Sequence, residues 1–119
     1  MRDRSGLIVL VVEDDPFQRM DLAQGLVGAG CTVVEAGSAE EALSHLRDHR
    51  RIDFVVTDIN LGGRLNGWDV AESFRAAYPK IPVIYVSGKP AQPERQVPGS
   101  VFLHKPCGPA DVLKALRPT

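Results

Sequence analysis

Five short apolar runs recur along the chain, and the stretches between them carry apolar residues at helical spacing. This alternation constrains the fold more than any other feature, because strand–helix–strand order means parallel strands joined by right-handed crossovers. Residues 7–12, LIVLVV, are apolar without a break. Such a run fits a strand buried on both faces, as in a parallel sheet with helices on each side. Further strands are expected at 31–35, 52–57, 81–86 and 101–103. The third run ends at Asp58, and the dipeptides Gly62-Gly63 and Asn66-Gly67 after it mark a loop.

The connecting segments read as helices. Asp15 is placed as an N-cap with Pro16 at the first helical position. Met20, Ala23, Leu26 and Val27 form the expected inward stripe of that helix, which stops near Gly28 or Gly30. Ser38 and Glu41 have the spacing of a capping box, which opens a helix over 39–49. Val70, Ala71, Phe74, Ala77 and Tyr78 mark a third helix that ends before Pro79. Val112, Leu113 and Leu116 face inward from a last helix begun at Gly108-Pro109. One crossover departs from the pattern. Residues 90–99, PAQPERQVPG, hold three prolines, and each costs about 3 kcal/mol inside a helix. The fourth helix is therefore expected to be short or replaced by a loop, and mobile.

At 119 residues the chain is expected to form a single domain spanning 1–119. A net charge of −1 with no long run of one sign argues against nucleic-acid or membrane binding. No run approaches the ~20 apolar residues of a membrane span. The opening MRDRSG lacks the apolar core of a signal peptide, so a cytoplasmic location is expected. Cys31 and Cys107 then read as free thiols. His45 and His49 have a zinc-compatible spacing but no third ligand, and read as an exposed helix face.

The chemistry gathers at the strand ends. Glu13 and Asp14 follow the first strand, Asp58 the third, Ser87 the fourth and Lys105 the fifth. In a parallel sheet these ends share one edge, where ligands bind. Two carboxylates ~4 Å apart repel by about 4 kcal/mol at an effective dielectric near 20. Three converging carboxylates therefore call for a hard cation, and Mg²⁺ is the usual one beside a phosphate. Lys105 and Ser87 add a mobile cation and a hydroxyl donor.

In this order, the acidic pair after LIVLVV, the VVTD before the loop, the VS of 86–87 and the HKP of 104–106 resemble the receiver domains of two-component response regulators. The resemblance covers essentially the whole chain. It implies a flavodoxin-like (βα)5 sandwich with a five-stranded parallel sheet of order 2-1-3-4-5, an order for which a receiver is a standard example. It implies Asp58 as phosphoacceptor and Glu13, Asp14, Asp58 and the Asn60 backbone carbonyl around Mg²⁺. Ser87 and Lys105 would contact the phosphoryl oxygens, and Ser87 and Phe102 would be the switch pair. Asn60 and Lys89 would tune dephosphorylation. The implied partner is a histidine kinase or histidine phosphotransfer protein, and the implied state a monomer or weak dimer. Such a domain is a switch that may assist its own phosphorylation and dephosphorylation rather than an enzyme acting on a separate substrate. The loop from Asp58 to Gly67 is one residue longer than is usual for the family, the 87–105 segment about four residues shorter, and Cys107 replaces a usual aromatic. These departures resemble a subgroup with a degenerate fourth helix, linked to HWE-type histidine kinases. The alternatives are a pseudo-receiver that binds without phosphorylation and a receiver cut from a hybrid kinase or a DNA-binding regulator. A flavin carrier is disfavoured, because Glu13-Asp14 stands where a phosphate loop would be needed.

Overall fold

A computed structural model of the chain describes residues 6–90 and 92–116. The expected domain limits at 1 and 119, and most of the MRDRSG segment, lie outside the described residues. Five parallel strands pair in the order β2-β1-β3-β4-β5. They are β1 (Ile8–Val12), β2 (Thr32–Ala36), β3 (Phe54–Asp58), β4 (Val83–Ser87) and β5 (Val101–His104). The helices are α1 (Pro16–Gly28), α2 (Ala39–Arg47), α3 (Gly67–Ala77) and α4 (Pro109–Ala115).

The unbroken apolar runs are explained by two cores, one on each face of the sheet. Leu10, Val12, Val55 and Tyr85 point into a cluster with Trp68 and Phe74 of α3. Val9, Val11, Val56 and Ile84 point the other way, onto Leu26 of α1 and Val112 of α4. Successive strand residues alternate faces, so a strand covered on both faces reads as a nearly continuous apolar run.

Local corrections follow from specific contacts. In α1 the buried positions are Ala23 and Leu26, while Met20 and Val27 are exposed. The helix turns this way because Arg19 lies over the sheet edge, donating to the Glu13 carbonyl at 2.8 Å and pairing with Glu35 at 3.1 Å. Gly25 also packs so closely that an added Cβ would stand 2.1 Å from the Pro109 ring. Ser38 caps α2 through the Glu41 N–H, but Glu41 reaches back to the Gly37 N–H at 2.8 Å rather than to Ser38. α2 ends at Arg47 and His49 adopts φ 55°, so His45 and His49 do not share a helix face. The Nε2 atom of His45 is buried and has no hydrogen-bond partner among the described residues. Asn66-Gly67 opens α3 instead of making a turn. The Asn66 side chain accepts from the Asp69 N–H at 3.2 Å, and the Asp69 carboxylate accepts from the Asn66 N–H at 2.8 Å.

Between β4 and β5 a single 3-10 turn, Pro93–Arg95, replaces a full helix. Residues 95–98 of the segment are tied to the rest of the fold. Tyr85 Oη accepts from the buried Val97 N–H at 3.1 Å, and Arg75 donates to the Pro98 carbonyl at 2.6 Å. Arg95 pairs with Glu72 and Asp69 of α3 and lies 6.0 Å from the Trp68 ring centroid. These ties weigh against the expected mobility for residues 95–98 of the 90–99 stretch.

Candidate functional site

The strands run parallel, so their carboxyl ends place Glu13, Asp58, Ser87 and Lys105 on one edge. Three of these side chains are almost wholly buried: Glu13 at 6%, Asp58 at 8% and Ser87 at 3% exposure. Asp14 is exposed. Carboxylate oxygens of Glu13, Asp14 and Asp58 lie within 4.8 Å of one another. Lys105 Nζ stands among them, 2.9 Å from Glu13 Oε1 and 3.0 Å from Asp58 Oδ2. Its third donor goes to Gln18 Oε1 at 2.8 Å.

The two buried acids are held from behind. Asp58 Oδ1 accepts from the Ile59 N–H at 2.7 Å, and Thr57 Oγ1 donates to the Asp58 carbonyl at 2.7 Å. The Asn60 N–H lies a long 3.4 Å from the same Asp58 oxygen. Glu13 Oε2 accepts from the Asp15 N–H at 3.2 Å. Gly67 packs on this turn, donating to the Ile59 carbonyl at 2.8 Å. The Lys105 N–H donates to the Ser87 carbonyl at 2.8 Å, which ties the ends of β4 and β5 together. The Lys105–Pro106 peptide is cis.

The electrostatics follow from burial and proximity. Burial pushes the Glu13 carboxyl above its ordinary value and the Asp58 charge adds to this, against the Lys105 hydrogen bond. Burial works against the Lys105 ammonium, but the hydrogen bonds and charges of Glu13 and Asp58 outweigh it and hold its pKa up. The repulsion expected among three carboxylates is thus met, in part, by this one ammonium. The set is oxygen-only, with one exposed and two buried carboxylates, which fits a hard divalent cation.

Ser87 Oγ accepts from the Lys89 N–H at 3.0 Å. Ser87, Asn60, Lys89 and Trp68 line a cleft of about 190 Å³ beside Asp58. Phe102 is half-buried and does not reach the acids. Its ring lies 6.4 Å from Trp68, 6.4 Å from Tyr85 and 5.0 Å from His104. The fold therefore gathers Glu13, Asp14, Asp58 and Lys105, places Ser87 and Asn60 in the adjoining cleft, and sets Phe102 apart among aromatics. Gln18 is the residue that sequence reading passed over. Its place three residues after the cap Asp15 is visible in the sequence, but its contact with Lys105 spans 87 positions and is not.

The sequence profile of the response regulator receiver domain matches residues 9–117. This chain belongs to that family. The receiver is 29% identical over 119 residues to the probable transcriptional regulatory protein TcrX of Mycobacterium tuberculosis, covering 97% of this chain and 50% of that protein. It is 30% identical over 94 residues to the sensor histidine kinase RcsC of Escherichia coli, covering 79% of this chain and 10% of that protein. The receiver thus spans half or less of the length of these two relatives. A crystal structure of a response regulator receiver protein from Sinorhizobium medicae superposes with a TM-score of 0.90 at 32% identity, over 93% of this chain and 91% of that one. The flavodoxin-like fold and the two-component family are thereby established. No helix among the described residues is long and apolar enough to cross a membrane.

Proposed function

We propose that this receiver domain is a phosphorylation-dependent switch, located in the cytoplasm, that accepts a phosphoryl group on Asp58 from a histidine kinase or histidine phosphotransfer protein. The observation that carries the reading is the convergence of Glu13, Asp14 and Asp58 within 4.8 Å with the Lys105 ammonium hydrogen-bonded to two of them. A carboxylate in such a site is a nucleophile whose products and charges are already provided for.

In the step, an Asp58 oxygen attacks phosphorus in line. The bond from phosphorus to the donor nitrogen breaks and its electron pair leaves with the imidazole, giving an aspartyl phosphate. Positioning and charge neutralisation dominate such transfers. Glu13, Asp14, Asp58 and the Asn60 carbonyl would hold Mg²⁺, which would neutralise charge on the phosphoryl oxygens. Lys105 and the Ser87 hydroxyl would take the remaining phosphoryl oxygens. The product carries nearly two negative charges where the carboxylate carried one, and places them on the phosphoryl oxygens at a nearly buried spot. Ser87 would move toward that charge and the Phe102 ring would repack against Trp68 and Tyr85, biasing the β4–β5 face between two states. Asn60 and Lys89 line the cleft that Ser87 shares, and water entering there would meet the product, which suits a role in setting its lifetime.

The donor must approach over the rim of this edge. Phe17 and Met20 stand there on α1 at 77% and 49% exposure. Being three residues apart on a helix they form one apolar patch beside the acids, suited to docking a donor protein.

Incubation with acetyl phosphate and Mg²⁺ followed by intact-mass measurement tests the proposal. The expected result is one added phosphoryl group in the parent and none in Asp58→Asn. No gain in a folded parent would point instead to a module that binds without phosphorylation.

A further inference from the structure

Lys105 is anchored by a residue outside the acidic set. A lysine ammonium has three donors and no acceptor. All three are engaged here, and the shortest bond, 2.8 Å, goes to Gln18 Oε1. Gln18 is itself held in one orientation. Its Nε2 donates to Asp15 Oδ2 at 3.1 Å, while Asp15 Oδ1 caps α1 through the Phe17 and Gln18 N–H groups at 2.9 and 3.3 Å. With its nitrogen committed to the cap, the amide turns its oxygen to Lys105. The N-terminus of α1 and the end of β5 are thereby linked through one side chain.

We propose that Gln18 is a positioning residue that parks the Lys105 ammonium over Glu13 and Asp58, so that release from Gln18 accompanies both entry of a divalent cation and contact with a phosphoryl group. The proposal rests on the reading of Glu13, Asp14 and Asp58 as the metal and phosphoryl site. The oxygens that hold the ammonium, Glu13 Oε1 and Asp58 Oδ2, belong to the carboxylates a cation would take. Two cations repel at such a distance, so the ammonium must withdraw as the cation enters. A phosphoryl oxygen likewise needs a donor set free. Gln18 draws the ammonium into a cleft of about 430 Å³ shared with Leu22, Pro106 and Cys107. Ser87 lies in the other cleft, with Asn60. The parked ammonium is therefore held on the α1 side, apart from the hydroxyl with which it would share the phosphoryl group. Removing the amide acceptor weakens the parked state. A carboxylate at position 18 strengthens it, since charge-assisted hydrogen bonds are roughly twice as strong as neutral ones.

The test uses the full chain with Gln18→Leu and Gln18→Glu, each alone and combined with Lys105→Met. In metal-free protein the Lys105 ammonium is observed by NMR. It is expected to exchange slowly with water in the parent and faster in Gln18→Leu. Mg²⁺ titration is expected to give a dissociation constant about threefold lower in Gln18→Leu, the size of one weak net hydrogen bond. At Mg²⁺ below its dissociation constant, acetyl phosphate is expected to react about threefold faster with Gln18→Leu and more slowly with Gln18→Glu, and the differences should shrink as Mg²⁺ saturates and releases the ammonium. The effects on Mg²⁺ affinity and on the acetyl phosphate rate should vanish in the Lys105→Met background, because Gln18 acts through that ammonium. Equal effects with and without Lys105 would overturn the proposal, as would a parent ammonium that exchanges like a free lysine. If the parent takes up no phosphoryl group, the proposed function fails, while the ammonium resonance still decides the role of Gln18.

Discussion

Gly67 lies against the backbone of Asp58, and no other residue fits there. A Cβ at this position would stand 2.2 Å from the Asp58 carbonyl oxygen and 2.8 Å from the Ile59 Cα. The obstruction is backbone, which cannot rotate away. Gly67→Ala is expected to destabilise the domain by about 1–3 kcal/mol, the usual range for overpacking. Urea denaturation measures this, and a loss below about 0.5 kcal/mol, within ordinary surface variation, would contradict the contact. Tyr85 makes a second single-residue case. Its hydroxyl is the partner of the buried Val97 N–H. Tyr85→Phe leaves that donor unpaired, at an expected cost of about 1–3 kcal/mol. Burial raises the phenol above its ordinary value of 10.0, against the Val97 hydrogen bond that lowers it. The folded state then holds this proton more tightly than the unfolded chain. The resulting stability is fully present below the ordinary value and is lost as pH rises through the folded one. Between about pH 9 and about pH 11 the parent should therefore lose more stability than Tyr85→Phe. At this scale the sequence spoke unevenly. Asp58, Glu13 and Lys105 were legible because an apolar run stops beside each of them. Gly67 looked like a turn residue, and Tyr85 like plain core, because their partners lie on other elements.

The missing helix between β4 and β5 shows how an element can be replaced without leaving the sheet bare. The prolines made a regular helix implausible, and that much was readable. The substitute was not, because its ties come from two other elements: Tyr85 on β4, and Arg75, Glu72 and Asp69 on α3, the last two against Arg95. Asp69 also belongs to the cap at Asn66. The loop after Asp58 and the strap before β5 thus meet at one carboxylate. Amide exchange is expected to show the Val97 N–H protected in unphosphorylated protein, more so than Gly88 and Lys89, which are exposed. An unprotected Val97 would restore the reading of a mobile loop. Helix α1 carries a prediction of another kind. Its first turn buries little, leaving Phe17 and Met20 outside. Substituting Phe17→Ser should slow transfer from a histidine phosphotransfer protein while leaving the rate with acetyl phosphate near that of the parent, since the small donor needs no docking surface. Equal slowing with both donors would place Phe17 in the chemistry instead.

Across the whole molecule, stability and the site are coupled through charge. A parallel sheet brings every strand end to one edge, so the fold itself concentrates acids that water would keep apart. Composition could not reveal this, because a net charge of −1 is the sum of a nearly neutral surface and one acidic edge. Lys105 joins that edge to the end of β5, and its ammonium compensates Glu13 and Asp58 with no cation present. Removing one partner of such a cluster leaves buried charge uncompensated, which costs up to about 3–5 kcal/mol in the most enclosed cases. Lys105 keeps a quarter of its side chain in water, so a smaller loss is expected for Lys105→Met without metal. A divalent cation bound only by the folded state adds stability that grows with its concentration, about 2.7 kcal/mol at 100 times its dissociation constant. Because the ammonium competes for the same carboxylates, Mg²⁺ should bind Lys105→Met more tightly than the parent. Thermal unfolding with and without Mg²⁺ therefore has a definite expected order. Lys105→Met should melt below the parent without metal and recover more of that difference as Mg²⁺ is added. Equal Mg²⁺ shifts in the two proteins would mean that the ammonium and the cation do not share ligands, and the acidic edge would then be a structural ion-pair network.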